Sequence, residues 1–210
     1  MNSVELPTAL ILYIPGSAGD FLKICCAVAI GEKLNFEIKQ TGQFAVSDVK
    51  WKTFIDLLHK SHNSLTITQV RQALSKETSS FPKIENGHHY FDWFKDTSIN
   101  LFYIDFDNKY MEIIVDTFIK KAFNGDESLF LDTVNANSKE EIIKNNLMLK
   151  DVYAKKCKAI DIKDFWDFDN TLANIKIITG QNIINKDLIY FRWKNWVNLN
   201  KKLKEDLNIK

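Results

Sequence analysis

A continuous apolar run near the start of the chain, followed at once by a glycine loop and an amphipathic stretch, constrains the fold more than any other feature. Residues 9–14 (ALILYI) have the length and hydrophobicity of a strand that is buried on both faces, as in a parallel sheet. The run ends at Pro15, and the small residues that follow up to Asp20 are typical of a turn. From Phe21 to Leu34 the apolar residues recur at helical spacing. The segment therefore predicts a strand, a tight loop and a helix.

The rest of the chain repeats this alternation of strands and helices. Strands are predicted at 99–105 and 157–162, and helices at 51–58, 68–74, 109–123, 138–156, 169–180 and 186–207, with a loop at 78–82. Ser138 and Asp169 are the expected caps of two of these helices. Strands separated by helices predict one α/β domain over residues 1–210, a three-layer sandwich with a mainly parallel sheet.

Composition limits the partners that such a domain can have. Its 28 Lys and Arg residues against 27 Asp and Glu leave a formal charge of +1, so no overall field attracts nucleic acid or an anionic membrane. Only Arg71 and Arg192 are arginines, and any anion site must therefore be local. Three cysteines without metal-ligand spacing predict reduced thiols, and no apolar run is long enough to cross a bilayer. We expect a cytoplasmic protein with neither nucleic-acid nor membrane partners.

The loop after the first strand is the first candidate site. A strand, a glycine loop and a helix together direct backbone N–H groups and a helix dipole at a phosphate or sulfate, and Gly16 and Gly19 permit close approach. Asp20 and Phe21 follow Gly19, so the lysine and hydroxyl of the G-x-x-x-x-G-K-[ST] loop of NTPases are missing. The pattern leaves two interpretations open. The loop binds an anion, or it is an ordinary turn in which Asp20 caps the helix.

The segment from Ile14 to Leu22 resembles the phosphosulfate-binding loop of sulfotransferases, which reads roughly P-[KR]-S-G-T-[TN]-[WF]-L after the first strand. Two alignments with that pattern are open. In one alignment Gly19 and Leu22 match, and in the other Pro15 and Ser17 match. The resemblance implies a fold of the P-loop NTPase and sulfotransferase type.

Three later segments occur in the order that the family would have. Gly87–Tyr90 stands where sulfotransferases carry a T-H motif whose histidine is the general base. The strand at 99–105 with the following helix is similar to the segment that binds the 3′-phosphate of the donor. Residues 160–180 resemble a late family motif, and 190–193 lead into a similar closing helix. Together these segments cover most of the chain.

The resemblance implies transfer of a sulfuryl group from 3′-phosphoadenosine 5′-phosphosulfate to a hydroxyl of a small-molecule or glycan acceptor. By this resemblance His89 or His88 takes the proton of the acceptor. Lys23, one turn into the helix, is the expected substitute cation for charge on the leaving phosphate. The residues that would bind the donor are Pro15, Gly16, Ser17, Ala18, Gly19, Asp20 and Phe21.

The chain departs from the family where the 3′-phosphate would bind. Asp105, Asp107 and Asn108 stand where sulfotransferases have arginine and serine, and a carboxylate repels phosphate unless a cation intervenes. The second hypothesis is therefore a non-catalytic nucleotide-binding or protein-interaction module on the same scaffold. His88 and His89 also have a second interpretation, as two polar residues at the start of a strand.

Other conspicuous residues favour structural roles. His59 and His62 lie three apart but have no third metal ligand in the pattern, so surface positions are expected. Trp193 and Trp196 fall on one apolar stripe, which predicts core packing rather than stacking on bases. Cys25 and Cys26 are expected to be buried in the first helix, with a reactive thiol at Cys26 as the alternative.

Overall fold

A computed structural model of the chain describes residues 7–32, 36–38, 44–46, 68–69, 83–87, 94–95 and 97–210. Several sequence predictions fall on the remaining residues and lie outside the described part. They are the helix at 51–58, most of the helix at 68–74, the loop at 78–82, Arg71, and all four histidines (His59, His62, His88 and His89).

The described strands form a parallel sheet and a separate hairpin-like pair. In chain order the strands are β1 (Ala9–Leu12), β2 (Phe36–Ile38), β3 (Phe44–Val46), β4 (Ile84–Asn86), β5 (Asn100–Asp105) and β6 (Lys158–Asp161). The parallel sheet has the order β4-β1-β5-β6, and Ala9 of β1 is opposite Ile84 on one side and Asn100 on the other. β2 and β3 pair antiparallel with each other. The predicted α/β class with a mainly parallel sheet is confirmed.

In the described part of the chain, one helix lies between β1 and β2, three lie between β5 and β6, and three follow β6. They are α1 (Gly19–Ala29), α2 (Met111–Ala122), α3 (Glu127–Val134), α4 (Lys139–Lys156), α5 (Phe168–Thr179), α6 (Lys186–Leu199) and α7 (Lys201–Asp206). Short 3-10 turns at Asn108–Tyr110 and Ile162–Trp166 follow β5 and β6. None of the helices in the described ranges is long and apolar enough to cross a membrane.

The helix termini confirm some predicted caps and correct others. Ser138 caps α4 by accepting from the amide N–H of Glu141. The prediction that Asp169 caps α5 is wrong. The cap is Asp167, whose side chain accepts a hydrogen bond from the N–H of Asn170, and the helix begins at Phe168. Gly180 ends α5 in the left-handed conformation, as predicted. α3 was not predicted, although Asp126 caps it through the N–H of Leu129.

The predicted helix over 186–207 is interrupted at Asn200. This residue is buried, and its side-chain amide donates to the carbonyl of Trp196 at 2.8 Å while its Oδ1 accepts from Lys121 of α2. A polar side chain that is satisfied by a neighbouring helix overrides the local preference for a continuous helix. As a result Leu199 is 45% exposed, whereas the core stripe continues through Leu203.

The core lies on both faces of the parallel sheet. Because side chains alternate along a strand, Phe102 and Ile104 face the side on which α1, α5 and α6 pack. Tyr103 faces the other way, and its ring lies 6.5 Å from that of Tyr153 in α4. β1 is buried throughout, as a central parallel strand requires.

Aromatic rings join α1 to the C-terminal helices. Phe21 stacks on Trp196 with ring centroids 4.4 Å apart, and Phe165 meets both rings edge-on. Trp166 lies 4.9 Å from Trp196 on its other side. The predicted core role of Trp196 is confirmed, since only 2% of its surface is exposed.

Candidate functional site

The strand order identifies one crevice at the carboxyl edge of the sheet. β1 connects to β4 on one side, and β5 connects to β6 on the other, so the two connections leave β1 and β5 in opposite directions. Ligands of open α/β sheets bind outside the carboxyl ends of the strands at such a reversal. The segments that border it here are the β1–α1 loop, residues 13–18, and the turn after β5, residues 106–108.

Two residues with positive φ shape the β1–α1 loop. Gly16 has φ +98° and Ala18 has φ +70°, and Ala18 is the N-cap of α1 without a side chain that could cap it. Ser17 between them is wholly buried, and both its N–H and its Oγ donate to the carbonyl of Ile14, at 3.0 and 2.7 Å. A left-handed residue at a helix start turns successive N–H groups to the same side, which is the geometry of an anion-binding concavity.

The loop presents backbone donors at its tip. Within the described part of the chain, the amide N–H groups of Gly16, Ala18 and Gly19 donate to no acceptor, while the N–H of Leu22 already bonds to the carbonyl of Ala18. Unsatisfied N–H groups and the positive end of the helix dipole both favour an anion at this position. The predicted loop between strand and helix is therefore formed, and among the described residues three of its amide groups have no acceptor.

Both loop glycines are required by close contacts. A Cβ at Gly16 would collide with the backbone carbonyl oxygen of Ile114 in α2, and a Cβ at Gly19 would collide with the ring of Tyr13. The sequence predicts that these glycines permit close approach of a ligand. The structure shows that they also permit close approach of the protein's own α2 and Tyr13.

The other predicted donor-binding residues occupy different environments. Phe21 is buried in the aromatic cluster with Trp196, so only its backbone faces the loop. Asp20 lies in the first turn of α1 and is not its N-cap, which corrects the interpretation of Asp20 as the capping residue. Pro15 is half-buried in the turn. Lys23, one turn into α1, is wholly buried.

A lysine of α4 that the sequence analysis did not single out compensates the carboxylate at the end of β5. Lys150 Nζ lies 2.9 Å from Asp105 Oδ1 and donates to Asn108 Oδ1 at 2.7 Å. The ammonium is also 5.2 Å from the ring centroid of Phe106 and is mostly buried. The repulsion expected from Asp105 toward a phosphate is therefore reduced by a cation 45 residues away in sequence.

Asp107 is compensated in a similar way, but on the surface. It accepts from the N–H of Lys109 at 3.1 Å and pairs with Lys109 Nζ at 2.9 Å. These hydrogen bonds to Lys109 lower the pKa of the Asp107 carboxyl. The carboxyl edge of β5 thus carries two acidic groups, each with its own lysine.

The cysteines of α1 are excluded as reactive groups. Burial raises the pKa of Cys25 to about 12, and burial together with the neighbouring Cys25 raises the pKa of Cys26 well above its usual value. Both are therefore protonated thiols at neutral pH, and the alternative of a reactive Cys26 is wrong. Across the described residues, no group of three or more His, Cys, Asp or Glu side chains is placed to hold a metal ion.

Comparison with protein families, with curated proteins and with solved structures found no match to this chain. The fold and the candidate site define the chain as an α/β protein with a small parallel sheet and a loop of backbone amides at the carboxyl edge of that sheet.

Proposed function

We propose that the chain binds 3′-phosphoadenosine 5′-phosphosulfate at the β1–α1 loop and transfers its sulfuryl group to a hydroxyl acceptor, on a three-layer scaffold of the P-loop NTPase and sulfotransferase type. One observation supports donor binding: with Gly16 and Ala18 at positive φ, three amide N–H groups at the carboxyl edge of the sheet have no acceptor among the described residues. Sulfuryl transfer rests on the resemblance of residues 14–22 and the later segments to sulfotransferases.

In this proposal the acceptor oxygen attacks sulfur, and the bond between sulfur and the bridging phosphate oxygen breaks. Adenosine 3′,5′-bisphosphate leaves, and His89 or His88 takes the proton of the acceptor. The loop amides stabilise the negative charge that develops on the leaving phosphate. Lys23 is the proposed cation, and because its side chain is wholly buried it acts on that charge through the electrostatic field and not by contact. All of these groups except the histidines belong to the described residues.

Lys150 is the proposed substitute for the arginine that sulfotransferases use at the 3′-phosphate. It is the more buried of the two lysines at the end of β5, and its partners Asp105 and Asn108 hold it there at 2.9 and 2.7 Å. The same contacts favour the second candidate function, a non-catalytic interaction module. An ammonium that is already paired with a carboxylate attracts a phosphate less strongly than an unpaired one does. Ligand binding distinguishes the two.

The first test is thermal unfolding with adenosine 3′,5′-bisphosphate, ATP or GTP. A ligand at a hundredfold excess over its dissociation constant stabilises the folded state by about 2.7 kcal/mol, which corresponds to a rise in Tm of roughly 5–10 °C for a chain of this size. We expect that rise with adenosine 3′,5′-bisphosphate. No shift with any of the three nucleotides favours the interaction module, and a shift with ATP alone favours a phosphotransferase.

A matched pair of variants at Ala18 tests whether the loop amides are the binding site. Asn and Asp both tolerate the left-handed conformation of this position, and they differ by one charge. We expect Ala18→Asn to bind the nucleotide almost as the wild type does, and Ala18→Asp to bind at least tenfold more weakly. Equal affinities would place the nucleotide elsewhere.

Turnover is tested separately from binding. Replacing both His88 and His89 by Ala should reduce sulfuryl transfer at least a hundredfold while the Tm shift with adenosine 3′,5′-bisphosphate is kept. Near-full transfer by the double variant contradicts the role of the histidines but leaves donor binding intact.

A further inference from the structure

A cavity of about 330 Å³ lies between α2 and the junction of α6 and α7, apart from the β1–α1 loop. Its apolar wall is formed by Ile113, Leu199 and Leu203, and its polar wall includes Thr117 and Asn200. That volume corresponds to about ten water molecules, which is enough for a small organic molecule.

The charged groups around the cavity leave a surplus of positive charge. The lining carries three lysines, Lys120, Lys121 and Lys202, against two aspartates, Asp116 and Asp206. Asp116 pairs at 3.1 Å with Lys139 of α4, which also pairs with Glu112 at 3.3 Å, and Asp206 pairs with Lys202 at 2.8 Å. Within the described residues Lys120 and Lys121 have no carboxylate partner. The cavity therefore favours an anionic ligand.

Lys121 differs from Lys120 and Lys202 of the cavity because it is half-buried, whereas they are exposed. Its Nζ donates to Oδ1 of the buried Asn200, whose own amide is fixed by the carbonyl of Trp196. Burial, and to a smaller extent the charge of Lys120, lowers the pKa of Lys121 to about 8. At pH 7 about a tenth of the molecules thus carry a neutral amine there, against about one in three thousand for an ordinary lysine with a pKa of 10.5.

We propose that Lys121 is a nucleophilic amine that condenses with a small aldehyde or ketone bearing a carboxylate or phosphate group, bound in the cavity between α2 and the α6–α7 junction. This site goes beyond the proposed sulfuryl transfer and shares no residue with the β1–α1 loop. A desolvated lysine beside a second cation is the arrangement that activates an amine toward carbonyl compounds.

The step balances without any further reactant. The lone pair of Lys121 Nζ forms a bond to the carbonyl carbon, and the nitrogen then loses both protons while the carbonyl oxygen leaves as water, so that an imine remains. Asn200 accepts a hydrogen bond from the amine and so directs the lone pair away from itself. Lys120, on the rim, attracts the carboxylate or phosphate of the ligand.

Reductive trapping tests the proposal with the whole chain. The protein is incubated at pH 7 with glyoxylate and cyanoborohydride, which delivers hydride to the imine carbon, and the modified lysines are located by peptide mass spectrometry. Two of the 28 basic residues are arginines, so Lys121 competes with 25 other lysines. We expect Lys121 to be labelled at least tenfold faster than the exposed Lys144, and labelling of Lys121 at the rate of Lys144 overturns the proposal.

Two controls separate the chemistry from general reactivity. Lys121→Arg keeps the charge and a donor for Asn200 and should lose the fast label, whereas Lys144→Arg should keep it. Propanal has a carbonyl group but no anion, and it should label Lys121 at least threefold more slowly than glyoxylate. Equal rates with the two aldehydes contradict the anionic part of the proposal.

The role of Asn200 has its own readout. Asn200→Asp places a carboxylate against Lys121, which favours the charged amine. We expect trapping at Lys121 to slow at least fivefold at pH 7 and to recover toward the wild-type rate near pH 10, where the amine of the variant is neutral as well. A rate that is unchanged at pH 7 shows that Asn200 does not act on the amine.

Discussion

The β1–α1 loop and the cavity beside α2 are both proposed to bind anions, but they would do so with different chemical groups. At the loop the positive charge is partial and belongs to the backbone amides of Gly16, Ala18 and Gly19. In the cavity it is carried by the side chains of Lys120 and Lys121. At both places the neighbouring carboxylates are paired with lysines. Asp105 pairs with Lys150 near the loop, and Asp116 pairs with Lys139 near the cavity.

This difference determines which changes each site tolerates. A site made of backbone N–H groups depends on φ, on the contacts that hold the loop, and hardly on pH. A site made of one desolvated amine depends on a single side chain and titrates near neutrality, since the pKa of Lys121 lies at about 8. Substitutions that alter only the backbone conformation should therefore act on the loop and leave the cavity unchanged. Substitutions that alter only the protonation of the amine should act on the cavity and leave the loop unchanged.

The largest effect is expected at Gly16. In Gly16→Ala the new Cβ meets the carbonyl oxygen of Ile114, and the residue must keep a positive φ, so we expect the free energy of unfolding to fall by about 3 kcal/mol. Gly180→Ala is the matched control, because Gly180 has φ +62° and nothing near the new Cβ, and should lose only about 1 kcal/mol. Urea denaturation measures both, and equal losses would show that the contact with α2 is unimportant.

The second effect is a pH dependence of stability caused by Lys121. Because burial lowers its pKa from 10.5 to about 8 in the folded state, the unfolded chain binds more protons between these values and stability rises with pH in that window. The rise is about 3 kcal/mol at most, by the energy of a pKa change of that size. Lys121→Met lacks this group and should show no such rise.

The measurement is the difference in unfolding free energy between wild type and Lys121→Met from pH 7 to pH 11. Titration of the other groups is common to both proteins and cancels. Lys144→Met serves as the control, and its profile should run parallel to that of the wild type. A difference that is constant over the whole range would mean that Lys121 titrates normally.

A smaller effect is expected at the carboxyl end of β5. Lys150→Met leaves the carboxylate of Asp105 without its cation, so adenosine 3′,5′-bisphosphate should bind about tenfold more weakly, which is about 1.4 kcal/mol. Lys109→Met breaks the exposed pair with Asp107 instead and should change binding by less than about twofold. Calorimetric titration compares the two variants. Similar losses in both would indicate a general charge effect rather than a contact of Lys150.

Local sequence patterns were sufficient to predict those parts of the fold that depend on neighbouring residues. The apolar run at β1, the cap at Ser138 and the stop at Gly180 were all predicted, because each depends on residues within one turn or one strand. The break at Asn200 was not predicted, since a polar residue in an amphipathic stretch is ordinarily a surface residue. Its burial is explained by two contacts of its side chain, with the carbonyl of Trp196 and with Lys121 of α2.

The two parts of the candidate site, the β1–α1 loop and the end of β5, differ in how far the sequence predicts them. Gly16 and Gly19 could be found from sequence, because glycines between a strand and a helix are informative by themselves. Lys150 could not be found, since in sequence it is one of several lysines along the polar face of a helix. Its position beside Asp105 results from the packing of α4 against the sheet, which no local pattern encodes.

The smallest effect is expected at Ala18, and it tests the loop without a clash. Ala18 has φ +70°, a conformation that costs an L-residue roughly 1 kcal/mol more than glycine. Ala18→Gly removes this strain, but it also makes the unfolded chain more flexible, so a net gain of about 0.5 kcal/mol is expected in urea denaturation. Nucleotide affinity should stay within about twofold of the wild type, because the amides keep their places. Weaker binding together with higher stability would mean that the strained alanine holds the amides in position, as strain at functional sites often does.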